Sequence, residues 1–537
     1  MAKRFFALLF FAFTLMALWQ CANRGNPSGG PKDVDPPVLL RTEPANLSTN
    51  FKGNKIRLYF DEYIKLQDVQ EQLIISPPLK YRPEISPLGG PSKYVEIRLK
   101  DTLRDNTTYT LNFGQSIVDN NEGNPYPYLS YVFSTGDYID SLSLSGAVKD
   151  AYNKKADPFI SILLYEIDTA YTDSTIYRKL PNYMANTLDS LITFKLNNLK
   201  KGKYKLFAIK DEGKNNVFDQ NADKIAFSTD TITLPTDSTY LLTLFKETPD
   251  YKASVPSFSA ANKISFGYYG EGDDIGITPL TPIPDSVRTT VLREREKDTF
   301  NFWFTPFETD SIQFTVTNES LKLVDTFTVK TRKLEMDSLR IVPENSGPLE
   351  FNKPFTLLAT TPLRQLDTTK ISMMDKDSVA FYPKYALDTL LNQLSIDFPK
   401  APEENYSLEL LPGALTDFFG VTHDTLGYRL STNSLADYGT LRIHLEGPVV
   451  YPVLVQLTNE GGETLYEIHA EEEQLFSFDL LEPANYYVRV VFDTNGNKKW
   501  DTGNYLKGIQ PEKVSYYPDL IDVRANWELE QIFTLLK

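Results

Sequence analysis

The spacing of the apolar residues constrains this chain more than any other feature. Ile56, Leu58 and Phe60 alternate with Arg57 and Tyr59, and the same period of two recurs in Val95, Ile97 and Leu99 and in Tyr109, Leu111 and Phe113. Successive side chains of a strand point to opposite faces, so this period collects the apolar ones on one face, ready to be buried against a second sheet. Turn residues bound the runs, as in Leu88-Gly89-Gly90-Pro91 and Asn120-Asn121-Glu122-Gly123-Asn124-Pro125. No long segment after Cys21 has a helical period. Short strands between such turns predict antiparallel β-sandwiches. The 537 residues leave room for about five modules of roughly 85 to 110 residues. The expected fold class is therefore all-β, a tandem array of about five antiparallel β-sandwiches.

The chain also repeats itself at a spacing of about 282 to 298 residues. Asn106-Thr107-Thr108-Tyr109-Thr110-Leu111 is echoed by Glu404-Asn405-Tyr406-Ser407-Leu408, and Asp119 by Asp417. Phe133-Ser134-Thr135-Gly136 is echoed by Leu430-Ser431-Thr432-Asn433, and Ser143-Leu144-Ser145-Gly146 by His444-Leu445-Glu446-Gly447. Tyr204 to Asp219 matches Tyr486 to Asp501. A pair of modules thus occurs twice with a different module between. The expected boundaries are 37–138 and 139–248 for the first pair, 249–335 for an intervening β-sandwich, and 336–436 and 437–537 for the second pair.

Ahead of these modules, Lys3 and Arg4 precede an apolar run from Phe5 to Leu18. That run is short for a membrane span, which takes about 20 residues. With its charged start it reads as a secretory signal over residues 1–20. Leu18-Trp19-Gln20-Cys21 resembles the signal of bacterial lipoproteins, in which the cysteine is acylated and becomes the first mature residue; Gln20 and Trp19 are bulkier than that family's usual residues. The resemblance implies a lipid anchor on Cys21. By the same resemblance, Ala22 and the lack of an acidic run after Cys21 imply an outer-membrane anchor, with the body facing the periplasm rather than the cell surface. Acyl chains contribute about 0.8 kcal/mol per buried CH₂, so two or more chains hold firmly. Residues 21–36 are Gly, Pro and polar, the composition of a flexible tether.

The first module carries Asp35-Pro36-Pro37, Glu43-Pro44-Ala45, Leu58-Tyr59-Phe60-Asp61-Glu62, Leu103 to Tyr109, Asp119 to Pro125 and Phe133-Ser134-Thr135-Gly136. In that order they resemble the bacterial Ig-like domain named after the SbsA surface-layer protein. The copy at 336–436 keeps Tyr406, Asp417 and Gly420 but lacks the Glu-Gly-Asn-Pro loop. The module at 139–248, with Phe194 to Leu206 carrying a Gly-x-Tyr turn into a strand, resembles the transthyretin-like or carboxypeptidase-regulatory sandwich, as does its copy with Phe478 to Tyr486. Whole lipoproteins of this layout resemble a group found in Bacteroidota. The resemblance implies a structural or adhesive protein without a defined active site.

The chemistry-bearing residues are few. Asp493, Asn495, Asn497 and Asp501 stand at loop positions 1, 3, 5 and 9 of Asp493 to Asn504. That spacing can wrap oxygens round a calcium ion at 2.3–2.6 Å, although Gly496 is at position 4 and Asn504 replaces a bidentate Glu. The competing reading is a turn in which Asp and Asn bond their own backbone. The copy at Asp211, Gly213, Asn215 and Asp219 lacks the position-3 oxygen. His423, His444 and His469 are scattered, with no pair at helical zinc spacing. A single cysteine, Cys21, excludes internal disulfides and a cysteine zinc cluster. The formal charge of −16 argues against a nucleic-acid coat, which wants a basic face. No nucleophile elbow, P-loop or dinucleotide fingerprint is present, so no catalytic or cofactor-binding residue is assigned and no enzyme is expected. Tyr126-Pro127-Tyr128, Gly267-Tyr268-Tyr269-Gly270 and Ser515-Tyr516-Tyr517 read as strand core and ordinary surface, with stacking on sugars or proteins as the alternative. The expectation is a non-enzymatic envelope scaffold that meets an envelope protein or a glycan. The alternatives are a glycan-binding component of a surface uptake complex and, less favoured, a carbohydrate-active enzyme.

Overall fold

The computed structural model describes residues 33–187 and 192–535. The expected signal peptide, Cys21 and the first part of the tether lie outside the described residues. The chain is all-β, a tandem array of β-sandwiches. Helical structure among the described residues is one four-residue turn, Val69–Gln72, and short 3₁₀ turns.

In the first sandwich, Leu39–Glu43, Lys55–Leu66, Ser92–Arg98 and Glu84–Ser86 form one sheet, which also pairs Ile117–Asp119. Ile74–Ser76, Thr108–Asn112 and Ser130–Ser134 form the other. The alternation seen in the sequence closes the core between them: Ile56, Leu58, Phe60, Val95 and Ile97 meet Tyr109, Leu111 and Phe133. Burying an apolar side chain of this size contributes about 1.5–3 kcal/mol. A third sandwich follows the same logic with a phenylalanine-rich core, Phe258, Phe266, Phe302, Phe304 and Phe314. The fourth encloses Leu357, Met373, Leu394, Ile396, Tyr406 and Leu408.

The second and last sandwiches share one topology. In the second, Leu142–Asp150 lies between Thr193–Leu199 and Thr239–Leu244, and faces a sheet ordered Tyr183–Asn186, Ser161–Glu166, Gly202–Lys210, Lys224–Phe227. In the last, Gly439–Glu446 lies between Phe476–Leu481 and Glu528–Thr534, and faces Thr464–Ala470, Val453–Thr458, Ala484–Phe492, Val514–Tyr516. Each contains one parallel pair in an otherwise antiparallel array, Thr239–Leu244 beside Leu142–Asp150 and Glu528–Thr534 beside Gly439–Glu446. The Tyr204 hydroxyl donates to the Lys200 carbonyl at 3.0 Å, and the Tyr486 hydroxyl to the Glu482 carbonyl at 2.7 Å, so the Gly-x-Tyr turn and its counterpart are pinned alike. One sequence match is corrected. Leu144 pairs with Leu196 and Leu441 with Phe478, which makes Leu144 equivalent to Leu441. Gly146 is therefore a mid-strand residue, whereas Gly447, with φ +94°, follows the end of its strand.

The Ig-like repeat is equally detailed. The Tyr109 hydroxyl accepts the Arg104 N–H, and the Tyr406 hydroxyl accepts the Ala401 N–H, both at 2.8 Å. Thr135 and Thr432 each accept a backbone N–H through Oγ1 at 3.0 Å, from Thr107 and Glu404.

Candidate functional site

The period of two breaks down in the central strands of the second and last sandwiches. Ile162-Leu163-Leu164-Tyr165 and Leu206-Phe207-Ala208-Ile209 are buried at every position, as are Val453 to Thr458 and Val488 to Phe492. A strand without an exposed face is covered on both sides. Ile162, Leu164, Leu206 and Ala208 point into the sandwich interior. Leu163, Tyr165, Phe207 and Ile209 point the other way, into a second apolar cluster that includes Ile176, Phe218, Phe227, Phe245 and, from the last sandwich, Tyr505.

Tyr505 fills this socket. Its ring lies edge-on to Phe207 at 5.0 Å and to Phe227 at 5.2 Å. Its backbone N–H donates to Glu247 Oε1 at 2.5 Å, and the other Glu247 oxygen accepts Gln220 Nε2 at 2.9 Å. The Tyr505 hydroxyl lies 3.4 Å from that of Tyr171. Burial pushes the Tyr505 phenol far above its ordinary range, and it pushes the Glu247 carboxyl up against the pull of its two donors. The approach is close: a Cβ on Gly503 would sit 2.7 Å from the Phe245 ring. Thr502 Oγ1 donates to the Lys246 carbonyl at 2.5 Å, and Gln510 Nε2 to that of Phe227 at 3.1 Å.

A second patch runs in the opposite sense. Asp150 accepts the N–H groups of Tyr152 and Asn153 at 2.9 and 2.7 Å, which folds the end of its strand into a tight turn. That turn lays Tyr152 over Arg489 on the outer face of the last sandwich. Arg489 is fully buried, with its guanidinium carbon 3.7 Å from the Tyr152 ring centroid. It donates to the Tyr152 hydroxyl at 2.8 Å, Thr464 Oγ1 at 2.7 Å, Gln456 Oε1 at 2.6 Å and the Tyr516 hydroxyl at 3.2 Å. The Tyr152 ring also packs on Trp500 at 4.7 Å. Lys154 Nζ donates to the Pro518 carbonyl at 2.6 Å.

The expected calcium residues lie at the base of the loop that carries Trp500 and Tyr505. Asp493, fully buried, accepts Gly496 and Asn497 N–H on one oxygen at 2.8 and 3.1 Å and Lys498 N–H on the other at 2.8 Å. Asn495 and Asn497 turn their amide NH₂ groups onto Asp501 Oδ2, at 2.5 and 2.8 Å. The structure thus brings Asn495, Asn497 and Asp501 together and turns Asp493 to the backbone. Glu512, not singled out in the sequence, ties both ends of the loop by accepting Thr494 N–H at 2.6 Å and Asp501 N–H at 3.0 Å. In the copy, Asp211 accepts Asn215 and Asn216 N–H in the same manner. Among the described residues no three His, Cys, Asp or Glu side chains come together as a metal-binding group.

The remaining candidates are dispersed. His423 accepts the Leu415 N–H, and His469 Nε2 lies 3.9 Å from Asp493 Oδ2. Tyr126 packs on Phe60, Tyr268 is buried, and Tyr516 belongs to the contact with Tyr152. A cleft of about 510 Å³ in the fourth sandwich is lined by Gln365, Asp367, Lys370 and Thr416, and its one carboxylate, Asp367, is engaged with Thr369.

These features define a tandem array of β-sandwiches that hold one another through buried contacts. Residues 33–135 match the family described as bacterial Ig-like domain, which is the span of the first sandwich. No curated protein matches the chain in sequence. Among solved structures it is similar to domains 1–6 of the surface layer protein SbsC, at 11% identity over 90% of this chain and 67% of that one, with a TM-score of 0.14. It is similar to the Bacteroides ovatus protein SGBP-B of a mixed-linkage glucan utilization locus, solved with a mixed-linkage heptasaccharide, at 10% identity over 71% and 92% of the two chains, TM-score 0.18. It is also similar to BcpA, the major pilin subunit of Bacillus cereus, at 9% identity over 73% and 99%, TM-score 0.14.

Proposed function

We propose that this chain is a non-enzymatic cell-envelope lipoprotein, anchored by acylated Cys21 to the outer membrane, whose β-sandwiches form a scaffold on the periplasmic side. The observation that supports it is where the chain places its buried polar groups. Outside the sandwich interiors, Arg489, Glu247 and Tyr505 hold one sandwich to another rather than lining a cavity. Asn198 likewise joins the first two sandwiches by accepting the Thr110 hydroxyl at 3.0 Å, and Asn262 holds Asp337 N–H at 3.0 Å between the third and fourth. Such contacts suit a load-bearing or presenting body on a tether. Labelling cells with a fatty acid tests the anchor: label is expected on the wild type and not on Cys21→Ala, and label on both would overturn it.

A second reading, glycan binding, is favoured by Tyr382, which stands 92% exposed beside a strand of the fourth sandwich. Exposed aromatic faces serve recognition. A glycan array probed with wild type and Tyr382→Ala separates the two: binding lost in the variant supports the glycan reading.

A further inference from the structure

The second and last sandwiches do not merely touch. They meet through equivalent faces. Phe207 pairs with Leu163 and Arg489 with Gln456 at the same outward position of the corresponding strands. Phe207 receives Tyr505 from the last sandwich, and Arg489 receives Tyr152 from the second. Each face also holds a buried ionisable group without a salt bridge. On the second sandwich it is Glu247, 2% exposed; on the last it is Arg489. Among the described residues neither forms a salt bridge. Glu247 is completed by the Tyr505 N–H, and Arg489 by the Tyr152 ring and hydroxyl.

Each sandwich therefore carries a buried ionisable group whose set of partners is complete only when the other is docked: Glu247 has Gln220, and Arg489 has Gln456, Thr464 and Tyr516, from its own sandwich, and each takes its remaining partner from the other. Removing that partner leaves the group short of a hydrogen bond, which is more unfavourable than losing surface contact. Pairing like with like fails on the same ground, since two second sandwiches bring two Glu247 carboxylates and no inserted Tyr505. That is discrimination by mismatch as well as by fit.

We infer that 139–248 and 437–537 are a matched pair, in which the second sandwich bears a specific binding site for an aromatic loop that presents a backbone N–H to a buried carboxylate. The occupant is loop 500–511 of the same chain. Because the second to last sandwiches are also joined in sequence, this pairing closes the chain into a circuit and roots 249–436 at both ends. The inference does not depend on the anchor at Cys21, and its test reads nothing from the membrane.

The test uses the full chain with a protease site inserted after Lys333, in the exposed link between the third and fourth sandwiches. After cleavage the two halves are expected to co-elute in size-exclusion chromatography at the mass of one chain. Tyr152→Ala with Tyr505→Ala is expected to weaken their association by roughly 100-fold or more. Tyr152→Phe with Tyr505→Phe keeps the rings and the N–H, so it should retain most of the association and shows that loss in the alanine pair is not general misfolding. Separation of the cleaved wild-type halves overturns the inference. So does equal association of the alanine pair, and so does elution at twice the chain mass, which would assign the pairing to two copies.

Discussion

The Arg489 guanidinium carbon lies over the ring of Tyr152, 3.7 Å from its centroid, although the two residues are 337 positions apart. The ring face supplies the negative potential that a carboxylate would otherwise supply, and the Tyr152 hydroxyl accepts an N–H from the same group. A cation held this way depends on the neighbouring sandwich for part of its compensation. Tyr152→Ala and Arg489→Leu should therefore both destabilise, the second more. The first takes one ring and one hydroxyl from a cation that keeps Gln456, Thr464 and Tyr516, an effect of about 1.5–3 kcal/mol, whereas the second leaves all of these acceptors without their charged donor. Trp500, 4.7 Å from the Tyr152 ring, gives a local fluorescence signal for urea titrations of both variants. Equal losses would show that packing rather than charge sets the contact.

Glu247 makes the same contact depend on pH. Burial raises its carboxyl pKa, against the lowering effect of the Tyr505 N–H and of Gln220. For a pKa raised on folding, the stabilising contribution is complete below the unfolded value and is lost as pH rises through the folded value. Ionised Glu247 is thus a burden at neutral and basic pH. Glu247→Gln keeps an oxygen for the Tyr505 N–H and cannot ionise. It should be more stable than the wild type at pH 8, with the difference shrinking towards pH 5, as read from thermal unfolding at each pH. A difference that grows on acidification would contradict the sign.

Asp119 shows the opposite balance. Burial pushes its carboxyl up, but N–H groups of Asn124, Glu122, Gly123 and Asn121 together bring it below the ordinary range. A lowered pKa stabilises the fold above the unfolded value, and the contribution is lost as pH falls through the folded one. Asp119→Asn offers one acceptor oxygen where the carboxylate offers two, and Asp119→Ala offers none. The expected losses are about 1–2 and about 3 kcal/mol, since hydrogen bonds to a charged group are worth roughly 1.5–3 kcal/mol. Hydrogen exchange of the 119–125 turn and its pairing strand Lys55–Leu66 measures both; unchanged protection in the alanine variant would dismiss the carboxylate as a hub.

What could be read from the sequence was what one face of one strand decides. Ile56, Leu58 and Phe60 alternate cleanly and sit in a core, and Tyr204 and Tyr486 recur with the same hydrogen bond. The contact between the second and last sandwiches was hidden because its residues look like interior ones. Leu163, Phe207 and Ile209 are apolar and lie in strands, and nothing local distinguishes an inward face from one covered by a distant loop. The signal was the loss of alternation in Ile162 to Tyr165 and in Val488 to Phe492, with Arg489 set inside an apolar run. At Asp493 the difficulty was different: oxygens spaced for a cation are also spaced for backbone N–H groups, and only the structure shows which donors they meet.

That geometry limits the calcium affinity of the 493–504 loop. Both Asp493 oxygens already accept backbone N–H groups, and Asn495 and Asn497 present NH₂, not oxygen, to Asp501. A bound ion would have to rotate both amides and compete with three N–H donors, and it would gain only two carboxylates. Sites so poor in charge bind, at best, in the range of about 10⁻⁴–10⁻³ M. Calorimetric titration of the full chain should therefore show no heat at micromolar calcium. A millimolar response that disappears in Asp501→Asn would assign weak binding to this loop, with the ion stiffening the support of Trp500 and Tyr505. Saturation at micromolar calcium would overturn the limit, because it would require the amides and the Asp493 carboxylate to leave the bonds they now make.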